Sequence, residues 1–370
     1  MKGRRYSKSL TEVFRLIKEN KGEARFVGGA VRDFLLGGRP PEMAEDIDLA
    51  VNLPPEFVAE IFKKAGAKVV SKYATNIVIL KGEVFEITST RKDENCDGRY
   101  ATMIFTPSFE EDAKRRDFTI NALYMTESGE IFDYHGGKED LQHKRVKFIG
   151  NPEFRIEEDY LRIWRFFRFS CLYGNEIDAS GLQAVIKKKE GLKRIAKERV
   201  THEMLKLLAG EQEKIYFILG KMLEAEVISK NDFFLENQNL ENSNFQNKNL
   251  LPKSPVLRLL CLTNCMEVSY FAYTKEQKRL ISIYNKIRIY LKNVEDVYYY
   301  KHKMQSEIFT QVIELGTFFA EIIETMPDFS KLEPLPFSFQ EIMDEGYEGV
   351  EISKEYDKRL KNFIKNIIMA

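Results

Sequence analysis

Residues 25–33 read RFVGGAVRD, and this stretch decides the fold expected for the first part of the chain. Its first three residues predict a short strand, and a helix is predicted to begin near Ala30. Gly28 and Gly29 lie between them, where glycines would let the backbone approach a phosphate closely, and Arg32 would reach the same group from the first helical turn. The alternative is a tight strand-to-helix turn that carries a surface arginine.

Carboxylates on the strands that follow are the second feature. Asp46 and Asp48 flank Ile47 in a predicted strand, so both carboxylates would point to the same side. Carboxylates this close repel each other unless a cation lies between them, and oxygen ligands suit Mg²⁺. Glu86 lies on the polar face of a neighbouring predicted strand and would complete a cage of three carboxylates. A solvated turn at Asp46–Asp48 and an exposed strand glutamate are the alternatives.

Two arginine-rich stretches complete the set of candidate binding residues. Arg115 and Arg116 enter a predicted strand at 119–124, where they could neutralise a triphosphate while Asp117 holds one of them in a bidentate pair. An exposed salt bridge is the alternative there.

The second stretch is predicted as one helix running through 158–169. Asp159 and Arg162 would be side by side on it, and Arg165 and Arg168 repeat the step of three as a basic stripe. An ordinary ion pair at that spacing is the alternative.

The bulk composition of the 370 residues predicts more than one domain. An α/β part is expected to end near residue 150, and helical periodicity follows, interrupted by an asparagine-rich stretch at 231–253. Because the formal net charge is zero, any nucleic-acid contact has to come from local patches. The four scattered cysteines, the lack of a secretory signal and the lack of a membrane-length apolar run favour a reducing cytoplasm and no membrane partner.

Taken in order, these motifs resemble the class II tRNA nucleotidyltransferase and poly(A) polymerase family. The residues that carry the resemblance are Gly28-Gly29-x-x-Arg32-Asp33, Asp46-x-Asp48, Arg115-Arg116-Asp117-Phe118-Thr119-x-Asn121-Ala122, Asp133-x-x-x-Gly137, Arg155-x-x-Glu158-Asp159-x-x-Arg162-x-x-Arg165 and Glu198-Arg199-Val200-x-x-Glu203-x-x-Lys206. The resemblance implies an α/β nucleotidyltransferase head at 1–150, a small mixed sheet with helices. An elongated all-α remainder would follow, with a neck carrying a base-reading helix at 151–220 and a tRNA-binding body and tail at 221–370.

The resemblance also implies a role for each candidate residue. Asp46 and Asp48 would bind Mg²⁺, with Glu86 as the third catalytic carboxylate. Asp159 and Arg162 would read the base of the incoming nucleotide. The remaining nucleotide-binding residues would be Gly28, Gly29, Arg32, Arg116, Arg165 and Arg168. The helix at 198–206 would brace the base-reading helix.

An Asp–Arg pair can select C and A without a template. Cytosine and adenine both present an exocyclic amine donor next to a ring-nitrogen acceptor, whereas uracil and guanine present the inverse pattern. A carboxylate only accepts and a guanidinium only donates, so Asp159 would pair with the amine and Arg162 with the ring nitrogen.

The resemblance therefore implies addition of C and A from CTP and ATP to the 3′ end of tRNA, with release of pyrophosphate. The stretch 92–114 matches the family's flexible loop, which members adding only C are expected to lack. An enzyme that adds only A, a poly(A) polymerase, and a catalytically silent tRNA-binding protein stay as alternatives.

Overall fold

A computed structural model describes residues 6–43, 47–97, 100–233, 251–264, 266–287, 306–318 and 338–369. The chain forms two compact units. The first comprises Met1–Leu207 with Ile218–Val227, and the second comprises Leu208–Phe217 with Ile228–Ala370. The predicted boundaries at 150 and 220 stay a prediction.

The first unit contains the sheet predicted from the sequence. Its strands are β1 (Ala24–Val27), β2 (Ile47–Val51), β3 (Lys68–Lys72), β4 (Thr75–Leu80), β5 (Glu83–Ser89), β8 (Leu123–Met125) and β9 (Ile131–Asp133). They are ordered β3-β4-β5-β2-β1-β8-β9, and β2 and β5 are parallel while the other neighbours are antiparallel. A separate hairpin is formed by β6 (Arg91–Asp97) and β7 (Tyr100–Phe105).

Helices make up most of the remaining described structure. In the first unit they are α1 (Lys8–Glu19), α2 (Gly29–Leu35), α3 (Pro55–Lys64), α4 (Phe109–Lys114), α5 (Gly137–Gln142), α6 (Pro152–Glu158), α7 (Leu161–Tyr173), α8 (Ala179–Lys188) and α9 (Lys197–Leu207). The later helices are α10 (Gln212–Glu224), α11 (Pro255–Leu262), α12 (Lys275–Ile287), α13 (Ser306–Phe318), α14 (Phe339–Asp344) and α15 (Val350–Met369). Short 3₁₀ turns occupy Pro41–Met43, Thr119–Asn121 and Lys189–Arg194.

One face of the sheet is covered and the other is more open. The apolar stripe of α1 is buried, as its spacing predicts, and α3 contacts β3, β4 and β5. Along β4, Val78 and Leu80 are buried whereas Ile77 and Ile79 are only half-buried. The strands therefore alternate between a core face beneath α3 and a second, more exposed face.

The strand predicted at 119–124 is only partly correct. Thr119–Asn121 forms a 3₁₀ turn, and the strand begins at Leu123. The Asp117 carboxylate accepts hydrogen bonds from the backbone N–H of Phe118 (2.9 Å) and from the Asn121 side chain (3.1 Å), which curls the backbone away from an extended path. This strand forms an antiparallel hairpin with β9, in which Tyr124 is registered with Phe132.

The stretch 92–114, expected as a loop, contains β6, β7 and α4. Ser108 caps α4 by accepting a hydrogen bond from the backbone N–H of Glu111 at 3.2 Å. Phe109 and Ala113 of that helix are buried in a cluster with Tyr124. The apolar face of α4 is what gives the end of this stretch regular structure.

The second unit is described through its helices. α13 contacts both α11 and α12. The helices α14 and α15 share a separate core formed by Ile342, Tyr356, Leu360 and Ile364. No helix in the described part of the chain is long and apolar enough to cross a membrane. Most of the asparagine-rich stretch, 234–250, lies outside the described residues.

Candidate active site

The structure places Asp48 and Glu86 next to each other on parallel strands. Asp48 of β2 is registered with Glu86 of β5, so their side chains leave the sheet on the same side. Neighbouring strands are about 4.8 Å apart, which puts the two carboxylates within reach of one cation. Ile47 is buried on the opposite face, as the alternation predicts. Asp46 lies outside the described residues.

The glycine turn lies on the other side of β2. The pair Phe26–Leu49 registers β1 with β2, so one further step along both strands brings Val27, the residue before the Gly28 turn, opposite Asp48. Gly28 has φ 70° and ψ −125°, a conformation that favours glycine. A Cβ atom at Gly28 would lie 3.4 Å from Nη1 of Arg116. The turn therefore brings glycine backbone, a guanidinium and a carboxylate strand together.

Arg32 is held beneath this turn. Only 6% of the residue is exposed. Its guanidinium donates to Asn121 Oδ1 at 2.7 Å, to the Tyr173 hydroxyl at 2.6 Å and to Asp33 Oδ1 at 2.9 Å. A Cβ atom at Gly29 would lie 3.4 Å from Nη2 of Arg32, so Gly29 leaves room for this packing. Arg32 thus connects α2 to the end of α7.

The double arginine is held by Asp112, a residue that the sequence reasoning did not single out. Asp112 is 1% exposed and accepts from Nε of Arg115 at 2.8 Å, Nη2 of Arg116 at 3.2 Å and the Tyr124 hydroxyl at 2.7 Å. Burial raises the pKa of Asp112, but Arg116 and Arg115 outweigh it and lower the pKa to about 2. Because one carboxylate serves two guanidinium groups, this cluster has a net positive charge.

The prediction that Asp117 holds one of the two arginines is wrong. Asp117 Oδ2 instead accepts from Nε of Arg165 at 2.6 Å, while Oδ1 accepts from Asn121. Burial opposes its ionisation, but Arg165 and the Asn121 amide lower the pKa of Asp117 below its usual range. The reason is geometric: Asp117 points toward α7, whereas Asp112 on α4 lies three and four residues before the arginines and shares their helical face.

Glu203 of α9 extends the buried ion pair of Asp117 and Arg165 into a network. Its two carboxylate oxygens accept from Nη1 of Arg165 at 3.5 Å and from Nε of Arg168 at 2.5 Å. Arg168 also lies over the ring of Phe169, 4.0 Å from its centroid. The predicted basic stripe, Arg165 and Arg168, therefore holds α7 to α9 and to Asp117. Helix α9 thus braces α7, the predicted base-reading helix, as the resemblance implies.

Asp159 and Arg162 lie at a break between two helices, which corrects the prediction of one continuous helix. α6 ends at Glu158, Asp159 is extended (φ −155°, ψ 106°), and α7 begins at Leu161. Asp159 accepts from the backbone N–H of Leu161, the first residue of α7, at 3.1 Å. Its other oxygen accepts from Arg199 at 2.7 Å. An Asp159–Arg162 ion pair is absent from the described contacts.

Arg162 is directed toward the double-arginine segment. Its Nη1 donates to the Arg155 carbonyl at 2.7 Å and to Glu158 at 2.5 Å, and its Nη2 donates to the Arg115 carbonyl at 3.2 Å. Nη2 of Arg155 also donates to the Arg115 carbonyl and to the Arg116 carbonyl. The base-reading candidates are therefore tied to the segment that carries the triphosphate candidates.

Asp159 and Arg162 both have unused hydrogen-bonding capacity. A carboxylate has about four lone-pair sites, and the described bonds of Asp159 use two of them. A guanidinium has about five N–H donors, and the described bonds of Arg162 use three. Each side chain can still bind a partner that offers the complementary group.

The described residues contain no group of three or more His, Cys, Asp or Glu side chains arranged to hold a metal ion. Asp48 and Glu86 supply an oxygen-only pair on neighbouring strands, and this donor set fits Mg²⁺.

A family model described as the head domain of poly A polymerase matches residues 24–147. The head of this chain is therefore similar to the head domain of poly A polymerase over these residues. The CCA tRNA nucleotidyltransferase 1, mitochondrial, of Homo sapiens is 43% identical over 213 residues, 55% of this chain and 47% of that protein. The CCA-adding enzyme of Geobacillus stearothermophilus is 40% identical over 200 residues, 54% of this chain and 48% of that enzyme. The matched region spans about half the length of these relatives.

Solved structures of CCA-adding enzymes share the fold. The Bacillus stearothermophilus CCA-adding enzyme in complex with CTP matches with a TM-score of 0.63 at 22% identity, covering 97% of this chain and 93% of that one. A CCA-adding enzyme in apo form II matches with a TM-score of 0.70 at 20% identity, with the same coverage. The predicted fold class, a head with a mixed sheet followed by helices, is confirmed.

Several residues of the site were missed by the sequence reasoning, and only one left a local signal. Asp112 lies at helical spacing from Arg115 and Arg116, so an i, i+3 and i, i+4 search would have found it. Tyr173 was missed, and Arg199 was expected only to belong to a bracing helix; they contact Arg32 and Asp159 across 141 and 40 residues. No spacing rule connects residues so far apart.

Proposed function

We propose that this chain is a template-independent tRNA nucleotidyltransferase that adds C and A, from CTP and ATP, to the 3′ end of tRNA. One observation carries the proposal: the carboxylate pair Asp48–Glu86 lies beside the Gly28 turn and the guanidinium of Arg116. This arrangement supports metal-assisted phosphoryl chemistry beside a bound triphosphate. The names of the relatives support tRNA as the acceptor.

We assign a role to each head residue. Asp48 and Glu86 would hold Mg²⁺ together with Asp46, which the resemblance adds, and the ion would activate the attacking hydroxyl and stabilise the leaving pyrophosphate. Gly28 and Gly29 let the triphosphate approach the backbone. Arg116 adds positive charge beside them while Asp112 orients it, and Arg32 adds charge from beneath the turn.

The neck residues choose the base. Asp159 accepts the exocyclic amine of C or A with its remaining lone pairs, and Arg162 donates to the adjacent ring nitrogen. With UTP or GTP, an acceptor would face an acceptor and a donor would face a donor. Buried mispairing of this kind reduces use of a substrate by as much as ~10⁴–10⁵-fold. Arg165 and Arg168 contribute indirectly, because they hold α7 in position.

The test is product sequencing on three tRNAs that end at the discriminator base, at C and at CC. With CTP, ATP and Mg²⁺, the full enzyme completes CCA on all three. Incorporation on the last tRNA alone would instead identify an A-adding enzyme.

Polyadenylation is the second candidate, because the matching family model is named after poly(A) polymerase. A ladder of A residues on an RNA without a tRNA fold would establish it. If wild type and Asp48→Ala were equally inert in every assay, the chain would be a catalytically silent tRNA-binding protein.

A cytoplasmic location stays part of the proposal. It rests on the scattered cysteines, of which Cys171 and Cys261 are buried in the described structure. The name of the human relative places that protein in the mitochondrion.

A further inference from the structure

The carboxylate pair belongs to a row of side chains that continues across the open face of the sheet. The strand registers align Asp48 with Glu86, Glu86 with Ile77, and Ile77 with Val70. Paired residues project from the same face, so this row runs from β2 through β5 and β4 to the edge strand β3. The surface beyond Glu86 is thus continuous with the proposed active site.

The in-line geometry of phosphoryl transfer determines which substrate lies on the surface beyond Glu86. The attacking and leaving oxygens are roughly in line with the transferred phosphorus, so they approach from opposite sides. The Gly28 turn and Arg116 lie on the β1 side of β2, and that side holds the leaving pyrophosphate under the proposed function. The attacking 3′-hydroxyl therefore comes from the Glu86 side, over β4 and β3.

The outer part of this face has the composition that a nucleic acid strand requires. Val70 is 51% exposed and Ile79 is half-buried, which gives an apolar floor. Exposed Lys68 and Lys72 lie on the same face of β3, at its two ends. Tyr73, at the adjacent hairpin turn, is 77% exposed. Lysines can pair with phosphates, and an exposed aromatic ring can stack on a base.

We infer that the open face of β3 and β4, with Lys68, Lys72 and Tyr73, binds the last nucleotides of the RNA acceptor and directs its 3′-hydroxyl to Glu86. The inference rests on the proposed function and adds the path of the acceptor strand. Two features on one face select this occupant: the positive charge of the lysines complements the phosphates, and the row is continuous with the carboxylates.

The direct test is tRNA affinity without nucleotide, measured by fluorescence anisotropy with tRNA ending in CC at several salt concentrations. The double variant Lys68→Ala/Lys72→Ala is expected to bind about tenfold more weakly. Loss of two contacts to single-stranded phosphates should also lower the slope of log affinity against log salt by about 1.4. Tyr73→Ala is expected to weaken binding by about tenfold, and Tyr73→Phe should restore it because the stacking ring is kept.

The matched control is Lys18→Ala/Lys63→Ala. These exposed lysines lie on α1 and α3, the helices of the covered face, so the same loss of charge should leave tRNA affinity unchanged. In steady-state assays the KM for tRNA should rise in the β3 variant while the KM for ATP stays constant.

Two other outcomes separate this inference from the proposed function. Unchanged affinity and salt slope in Lys68→Ala/Lys72→Ala would overturn the inference, and CCA synthesis by the wild type would leave the function intact. If the wild type made no product while its tRNA affinity still depended on Lys68 and Lys72, the proposed function alone would be overturned.

Discussion

Two groups of acidic residues in the first unit differ in what surrounds them. Asp48 and Glu86 lie side by side on the open face of the sheet, so like charges are neighbours. Asp112, Asp117 and Glu203 are buried, and each one accepts hydrogen bonds from arginines. Like charges held together oppose folding, whereas buried carboxylates paired with guanidinium groups require those partners.

Because their surroundings differ, the two groups of acidic residues have different roles. The Asp48–Glu86 pair lies on neighbouring strands, where the proposed function has it contact a cation and a substrate. The buried trio cannot reach a substrate, but it holds Arg116, Arg165 and Arg168 in place. Loss of an exposed carboxylate should therefore affect catalysis alone, and loss of a buried one should affect stability first.

The largest effect is expected for Asp48→Asn. Removal of a metal-binding carboxylate should reduce kcat for A addition by at least about 10³-fold, which corresponds to roughly 4 kcal/mol of transition-state stabilisation. The free energy of unfolding should change by less than about 1 kcal/mol, because the amide keeps the size and shape of the carboxylate. Rapid-quench kinetics and urea unfolding measure the two quantities.

A matched control for Asp48→Asn is Glu83→Gln, which changes a carboxylate on the opposite face of β5. It should retain wild-type kcat. An Asp48→Asn protein that turned over at the wild-type rate would remove the active-site assignment and, with it, the contrast between the two acidic groups.

The next effect is expected for Glu203→Ala. The variant would leave Arg168 and one donor of Arg165 buried without their carboxylate, and loss of a buried partner costs about 3–5 kcal/mol. Urea unfolding measures it, with Glu198→Ala on the exposed side of α9 as the control, expected within about 0.5 kcal/mol of wild type. Equal stability of the two variants would show that the network is not structural.

A smaller effect concerns the boundary between the two regions, where Arg162 contacts the Arg115 carbonyl. Arg162→Ala should raise UMP incorporation relative to CMP by about 10²-fold, equivalent to roughly 2.7 kcal/mol, because the donor that opposes uracil is removed. Mg²⁺ affinity should stay constant. Single-turnover assays with each nucleotide measure the ratio, and Arg194→Ala, an exposed arginine, is the control. Unchanged discrimination against UTP would contradict base reading by Arg162.

The sheet was predictable because local patterns encode it. Alternation around Phe85 and Ile87 predicts β5, and Asp48 and Glu86 then follow as members of one face. The helix break at Asp159 was not predictable, since Glu158 and Leu161 both suit a helix and the carboxylate that stops it is held by Arg199 of α9. The same holds for Asp117, whose partner Arg165 is 48 residues away. Alternation and helical spacing therefore predict which elements form and on which face a residue lies. Ion pairs between residues far apart in the sequence can be identified only once the fold is known.

The smallest effect expected is a pH dependence from Asp112. Its pKa is lowered from 3.8 to about 2 because Arg116 and Arg115 outweigh burial, so the unfolded chain binds a proton more readily. The folded state therefore gains stability above the unfolded pKa and loses it as pH falls toward the folded one, about 2 kcal/mol in total. Roughly 1 kcal/mol of this should disappear between pH 5 and pH 3. The free-energy difference between wild type and Asp112→Asn, from urea unfolding at both pH values, should shrink by that amount. A difference independent of pH would mean that Asp112 is not held ionised by the two arginines, and the contrast with the exposed pair would then rest on burial alone.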